Sequence, residues 1–307
     1  MTEALFLETA QHEADLWEQE KRRLNVCGVL KILGVSRNGY LNWKNRLPSS
    51  REKRKQSVKT RILEIYNESH QNYGAPKITQ QLRKDGEKIS EKTVGNYMRE
   101  LGIKAQYIKP YTVTTIDPDF STQLKNILNE EFNPSQPDAV WCSDITYIWT
   151  INGFVYLTSI MDLYSRKIIA WTLSESLEAK WVTETIKKAR QRRPADKPLI
   201  LHSDRGIQYV CREYKEATKG IQLSYSKKAY PWDNACIEAF HALIKREWLN
   251  RFKIVDYNHA YRLVFEYIET FYNTVRIHSH CGYYSPNEYE LNYRETQKRF
   301  AVGWDKT

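Results

Sequence analysis

Residues 140–161 set the tightest limit on what this chain can fold into. Two runs rich in β-branched and aromatic residues, 140–149 and 154–161, flank Asn152-Gly153. Such runs favour extended backbone. Asn-Gly between them favours a hairpin, because the tight turn needs residues that accept positive φ. A third run, 167–172, extends the meander. A helix is then predicted from about 177 to 191, with Ala179, Val182, Ile186 and Ala189 inward. Next come an apolar strand at 199–201, a helix near 211–219, a short strand at 221–225, and a helix with Ile237, Phe240, Ile244 and Trp248 on one stripe. Three meandering strands followed by alternating helices and strands make an α/β core.

Three carboxylates have informative places in that order. Asp144 lies inside the first run, where an unpaired charge is costly. Asp204 follows the apolar strand through His202 and Ser203, and Gly206 supplies the turn. Glu238 stands 34 positions after Asp204, one turn into the last helix, which Asp233 or Asn234 can cap after Pro231. It falls off the buried stripe, on a neighbouring one with His241 and Lys245. If the first run lies beside the 199–202 strand, Asp144 and Asp204 meet at one sheet edge and Glu238 can reach them. Three converging carboxylates repel one another and stay ionised only with cations present. Oxygen-only ligation suits Mg²⁺ or Mn²⁺. Two such ions, about 3.5–4 Å apart, clamp the attacking and leaving oxygens of a phosphoryl transfer.

These residues sit in Trp141-Cys-Ser-Asp144-Ile-Thr-Tyr147, His202-Ser-Asp204-Arg-Gly-Ile-Gln-Tyr209 and Asp233-Asn-Ala-Cys-Ile-Glu238-Ala-Phe240. They resemble the Asp-Asp-Glu triad of retroviral-integrase-like transposases. From about 73 to 290 the chain is similar to the catalytic, downstream-frame protein of the large bacterial insertion-sequence family that transposes by copy-out–paste-in. The element order then matches a ribonuclease-H-like (integrase) core, in which the first and fourth strands are parallel neighbours. The resemblance implies a transposase that binds insertion-sequence ends, cuts a strand to expose a 3′-OH, and joins that hydroxyl to a second phosphodiester. It implies Asp144, Asp204 and Glu238 as catalytic residues holding two Mg²⁺ or Mn²⁺ ions, and Lys245 as a contact to the donor DNA end. It also implies a homo-oligomer, at least a dimer, on double-stranded DNA, with an upstream-frame partner protein or fusion. The stretch 272–289 resembles the family's closing signature, with Cys281 where members often have Leu; Arg276 and His278 there brace the domain or touch DNA. Two other readings use the same core: a ribonuclease-H-like nuclease that only hydrolyses, and a DNA-binding regulator with a silent core.

Neighbouring residues have blander readings. Asp162 reads as a strand-end cap. Glu247 competes with Glu238 but falls beside the Trp248 stripe. His202 orients Asp204 or fills space, and Asn234 caps its helix. His278, His280 and Cys281 are spaced too tightly for a usual zinc site.

The amino-terminal third reads as all-α. A helix over 3–25 has Leu7, Ala10, Ala14, Trp17 and Leu24 at heptad-like spacing, packing on its own domain or forming a short dimer contact. Residues 26–46 read as a helix-turn-helix: Gly34 turns, Ser36 caps, and Tyr40 and Trp43 point inward. Arg37, Asn38, Asn42, Lys44 and Arg46 face out, placed for a major groove. Residues 44–61 carry eight basic side chains against Glu52. Among them Arg51, Lys53, Arg54 and Lys55 suit phosphate contact, with Pro48, Ser49 and Ser50 as a linker. A second helix-turn-helix follows, its last helix capped by Ser90 and presenting Lys92, Thr93, Asn96 and Arg99. The expected organisation is 1–50 and 51–108 as two helix-turn-helix units, 109–136 as a linker with a helical piece near 123–131, 137–290 as the catalytic core, and 291–307 as a tail.

A net charge of +10 with 13% aromatic residues favours nucleic acid as partner. Five cysteines without a CxxC pair argue for reduced thiols and against a structural zinc module. With neither a long apolar run nor a basic-then-apolar start, the expected location is cytoplasmic, on DNA and not in a membrane.

Overall fold

The computed structural model describes residues 2–21, 23–106, 124–194, 198–227 and 231–303. The chain divides into two compact units, Met1–Arg61 and Ile62–Thr307.

The first unit holds α1 (Thr2–Glu20), α2 (Val26–Ile32) and α3 (Arg37–Lys44). α1 stops short of the predicted Asn25, because Lys21 turns to φ +55° and Asn25 instead caps α2, accepting from the Gly28 N–H. Phe6, Leu30 and Tyr40 form the buried centre, with Ala10, Val35 and Trp43 packed against it. Of the heptad-like positions Ala10 packs on this centre, but Leu7 and Trp17 are more than half exposed, while Phe6 and Thr9, off that spacing, are buried. Gly34 makes the turn at φ +67°, and the Ser36 hydroxyl caps α3.

The expected linker is a helix start. α4 (Ser50–Glu68) begins there, and Ser49 and Glu52 exchange bonds, the Ser49 N–H giving 2.7 Å to the Glu52 carboxylate and the Glu52 N–H giving 3.2 Å to the Ser49 hydroxyl. This is a capping box. The unit boundary falls within α4.

In the second unit, α5 (Ala75–Lys84) and α6 (Glu91–Glu100) pack together, and Ile78 and Leu82 of α5 and Val94 and Met98 of α6 are buried. A five-stranded mixed sheet follows: β1 (Val140–Thr150), β2 (Gly153–Asp162), β3 (Ile168–Ser174), β4 (Ile200–Ser203) and β5 (Gln222–Tyr225), in the order β3-β2-β1-β4-β5. β1, β2 and β3 are antiparallel neighbours, and β1–β4 and β4–β5 are parallel. Thr150 pairs with Gly153, so the hairpin loop is Ile151-Asn152 and Gly153 takes φ +118°. α7 (Ala179–Arg192) buries Val182, Ile186 and Ala189 with Trp141, Ile160, Ala170 and Leu201. The helical piece expected near 123–131 is absent over the described 124–131. β5 takes those backbone groups: the Ser224 hydroxyl accepts from the Ile127 and Leu128 N–H groups, and the Lys125 carbonyl accepts from the Tyr225 N–H.

After β4 come α8 (Ile207–Val210), α9 (Arg212–Ala217), α10 (Ala235–Glu247) and α11 (Tyr257–Phe265). α11 widens into a π-helical segment, Glu266–Tyr272. Its inward face is Ala260, Leu263, Val264, Tyr267, Ile268, Phe271 and Tyr272. Tyr261 and Phe265 fall outside that face, at 44% and 45% exposed. Residues 291–303, expected as a tail, belong to α12 (Pro286–Gly303). Glu290 ties that helix down: the Arg193 guanidinium donates to both its oxygens at 2.7 and 2.6 Å. Asp162, fully buried, accepts from the Asp138 N–H at 2.7 Å, the Tyr164 N–H at 2.8 Å and Arg193 at 3.3 Å. It is the strand-end cap its position suggested, and burial pushes its carboxyl up to about 7.

Candidate active site

The β1–β4 pairing ends at the Ser143–Ser203 rung. Asp144 and Asp204 are each the next residue, so they stand side by side at one level, where β4 stops and β1 runs on to Thr150, on strands about 4.8 Å apart. The Asp204 Oδ1 accepts the Gly206 N–H at 2.9 Å, which closes the turn after β4. Buried Tyr209 lies beneath, its hydroxyl 3.1 Å from the Ser143 hydroxyl. Burial, then the charges of Asp144 and Asp204, push that phenol well up. Both carboxylates therefore bear on one ring.

α10 brings the third carboxylate. Ile237, Phe240, Ile244 and Trp248 are buried as one stripe, which fixes the rotation of the helix. Glu238 then lies at the surface in the first turn, its carboxyl raised by desolvation and by the negative charge of Asp144. His241, one turn on, is buried. Its Nδ1 is 3.2 Å from the Asp144 Oδ2, and its Nε2 is 3.2 Å from the hydroxyl of Ser159, the cross-strand partner of Asp144. The Lys245 ammonium sits 4.4 Å from the centre of the Tyr147 ring. Desolvation lowers its pKa against the opposing pull of Asp144. Sequence reasoning puts His241 on the Glu238 stripe but gives it no task; its i+3 spacing is the available signal.

Asn234 is not the side-chain cap expected. It precedes α10, but its amide donates across to the Ser143 carbonyl at 3.4 Å, stitching the helix start to β1 beside Asp144. His202 does not orient Asp204. Its ring nitrogens meet the Ser224 and Ser226 hydroxyls at 2.9 and 3.1 Å, and burial pushes it down to about 4. Glu247 is committed elsewhere, to Arg276 and the Tyr267 hydroxyl. Arg276 thus braces the domain, while His280 and Cys281 meet the Tyr164 and Ser165 carbonyls. Among the described residues no three His, Cys, Asp or Glu side chains close into a metal-holding group. Asp144 is held by His241, and Asp204 by the Gly206 N–H.

The basic and polar residues singled out for DNA divide by unit. In the first, Arg37, Asn38, Asn42 and Arg46 are exposed on and after α3, and Arg51, Lys53 and Arg54 along α4; Lys55 is half-buried. Lys44 is exposed but paired with Glu13 at 2.5 Å. In the second unit, Lys92, Asn96 and Arg99 are exposed on α6, with Arg99 donating to Asn96. Thr93 is half-buried and turned to the Ser90 hydroxyl at 2.8 Å.

Two family models described as "Integrase core domain" match residues 134–231 and 219–286, and one described as "HTH-like domain" matches 53–111. The transposase InsF of insertion sequence IS3A from Escherichia coli (strain K12) is 32% identical over 277 residues, covering 89% of this chain and 96% of InsF. An insertion element IS600 protein of 31 kDa from Shigella sonnei is 31% identical over 271 residues, covering 87% of this chain and 99% of its own length. Among solved structures, the HTLV-2 integrase catalytic core domain in complex with magnesium is similar at a TM-score of 0.37 and 16% identity, covering 47% of this chain and 92% of that one.

Proposed function

The chain belongs to the family of InsF, the insertion-sequence transposases with an integrase core and an HTH-like domain, and on that premise we propose that Asp144, Asp204 and Glu238 are its catalytic carboxylates. The protein is a transposase, an enzyme that cuts and joins DNA strands. What carries the assignment is the register of β1 on β4, which sets Asp144 and Asp204 side by side one residue past their last shared rung. The dependence of Glu238 on the charge of Asp144 adds the third group.

The donor set fits a hard divalent cation. It offers carboxylate oxygens only, and mutual repulsion among them would favour cation binding there. Asp144, Asp204 and Glu238 would hold two Mg²⁺ or Mn²⁺ ions, which when bound supply the positive charge that stabilises the transferring phosphate. Lys245, beside Tyr147, directs a cation toward the DNA end. Exposed residues of α3, α4 and α6 take the phosphates and groove edges of double-stranded DNA. Two element ends must meet, so the working form is at least a dimer, with an upstream-frame protein as a further partner or fusion. Among the described residues no helix is long and apolar enough to cross a membrane.

Purified protein incubated with labelled element-end DNA and Mg²⁺ is expected to give a nick at the element boundary and then a longer joined strand. EDTA and Glu238→Gln should remove both products. Joined product from Glu238→Gln would overturn the assignment; nicking without joining would favour a hydrolytic nuclease, and binding without chemistry a regulator.

A further inference from the structure

Asp144 has a dedicated holder. His241 is buried against β1 and β2, and its two ring nitrogens are both engaged, Nδ1 with the Asp144 Oδ2 and Nε2 with the Ser159 hydroxyl, each at 3.2 Å. A neutral imidazole donates from one nitrogen and accepts at the other. A carboxylate only accepts when ionised, so the Nδ1–H faces Asp144 and the Ser159 hydroxyl donates to Nε2. The chain Ser159–His241–Asp144 fixes the tautomer and the ring, and through them the rotation of the carboxylate. Ser159 and Asp144 are themselves cross-strand partners, so the span of the chain is set by the β1–β2 register. Glu238 and His241 share α10, three residues apart, so one helix carries both a carboxylate and the group that aims another.

We propose that His241 is a positioning residue: by holding Oδ2 of Asp144 it leaves Oδ1 aimed at the cation site shared with Asp204 and Glu238. This rests on the carboxylate assignment above. Groups that orient metal-binding side chains commonly matter about 10–100-fold in metal affinity.

The test titrates the full-length protein with Mn²⁺ alone, reading free Mn²⁺ by electron paramagnetic resonance, with circular dichroism and thermal midpoints as the fold check. His241→Ala is expected to weaken Mn²⁺ binding about 10-fold or more. His241→Asn places an amide N–H near the Nδ1 position and should hold affinity within about 3-fold of the parent, about 0.7 kcal/mol. His241→Gln, whose amide reaches toward Nε2 instead, should resemble His241→Ala. A space-filling role predicts the reverse order, with Gln better than Asn, and that result overturns the proposal. So does parental Mn²⁺ affinity in a folded His241→Ala protein when Asp144→Asn has lost it. If Asp144→Asn itself binds Mn²⁺ as the parent does, the carboxylate assignment fails first, and the positioning role with it.

Discussion

Arg276 grips Glu247 through two bonds of 2.7 Å, Nε to Oε2 and Nη2 to Oε1, with both side chains buried. The pair ties the segment after the π-helical turn to the C-terminal end of α10, the helix that carries Glu238. Burial works against the Glu247 charge, but the Arg276 bonds outweigh it, and the carboxyl pKa is lowered. Removing the guanidinium strands a buried carboxylate, which costs about 3–5 kcal/mol. Arg276→Ala should therefore unfold at much lower urea, and DNA joining should fall with the folded fraction. A depressed folded pKa gives stability that is present above the unfolded value of about 4.3 and lost as pH falls below it. The double variant Glu247→Gln/Arg276→Met should lack that part of the acid loss; an unchanged urea midpoint in Arg276→Ala would show the pair to be incidental.

Gly206 is the residue whose size the site limits most directly. A Cβ there would stand 3.1 Å from the Asp204 Oδ1 and 3.1 Å from the Gln208 Oε1. Its backbone angle, φ −54°, is open to any residue, so alanine meets crowding without backbone strain. Gly206→Ala is expected to push the Asp204 carboxylate aside and slow end cleavage by roughly 10–100-fold, with the thermal midpoint little changed. Cleavage at the parental rate would mean that Asp204 need not be held in this place.

His202 should give the fold a pH dependence of its own. Its folded pKa is about 4, against roughly 6.5 in an unfolded chain. The unfolded state takes up the proton first, so the contribution is full above about 6.5 and shrinks as pH falls toward about 4. At most it is on the order of 3 kcal/mol, each pKa unit being worth about 1.4 kcal/mol. In His202→Asn the unfolding free energy should fall less between pH 6.5 and 4 than in the parent, as read by urea melts at each pH. Equal slopes would remove His202 as the cause.

Exposed charges on α3 and α4 should register in salt dependence before they register in sequence preference. Arg51→Ala with Lys53→Ala should lower the slope of log affinity against log salt by about 0.9 for each phosphate that is no longer neutralised. Lys44 already pairs with Glu13, so Lys44→Ala should weaken binding less than Arg46→Ala does. Fluorescence anisotropy with element-end DNA from low to moderate salt measures both, and an equal or larger effect of Lys44→Ala would mean that DNA displaces Glu13.

Much of the architecture is local chemistry and is written in the chain. Asn152-Gly153 between two β-rich runs sets the hairpin, and the spacing of Ile237, Phe240, Ile244 and Trp248 sets which way Glu238 faces. That β1 lies beside β4, and so Asp144 beside Asp204, is implied by the resemblance to integrase-like transposases and seen in the strand register. What needed the tertiary structure were the partners of polar groups brought together from distant segments. Asn234 reads as a cap until β1 offers it the Ser143 carbonyl. Glu247 reads as a rival carboxylate until Arg276 arrives from 29 residues away. Residues 291–303 carry little signal alone, yet Glu290 and its grip on Arg193 fasten a long helix there. His241 is a polar residue beside a buried stripe until folding brings Asp144 and Ser159 to its two nitrogens. Periodicity and turn chemistry act within a few residues, so the sequence by itself determines the elements and their order. A buried charge or ring nitrogen is satisfied by whatever the folded chain places within about 3 Å, and only the tertiary structure decides that.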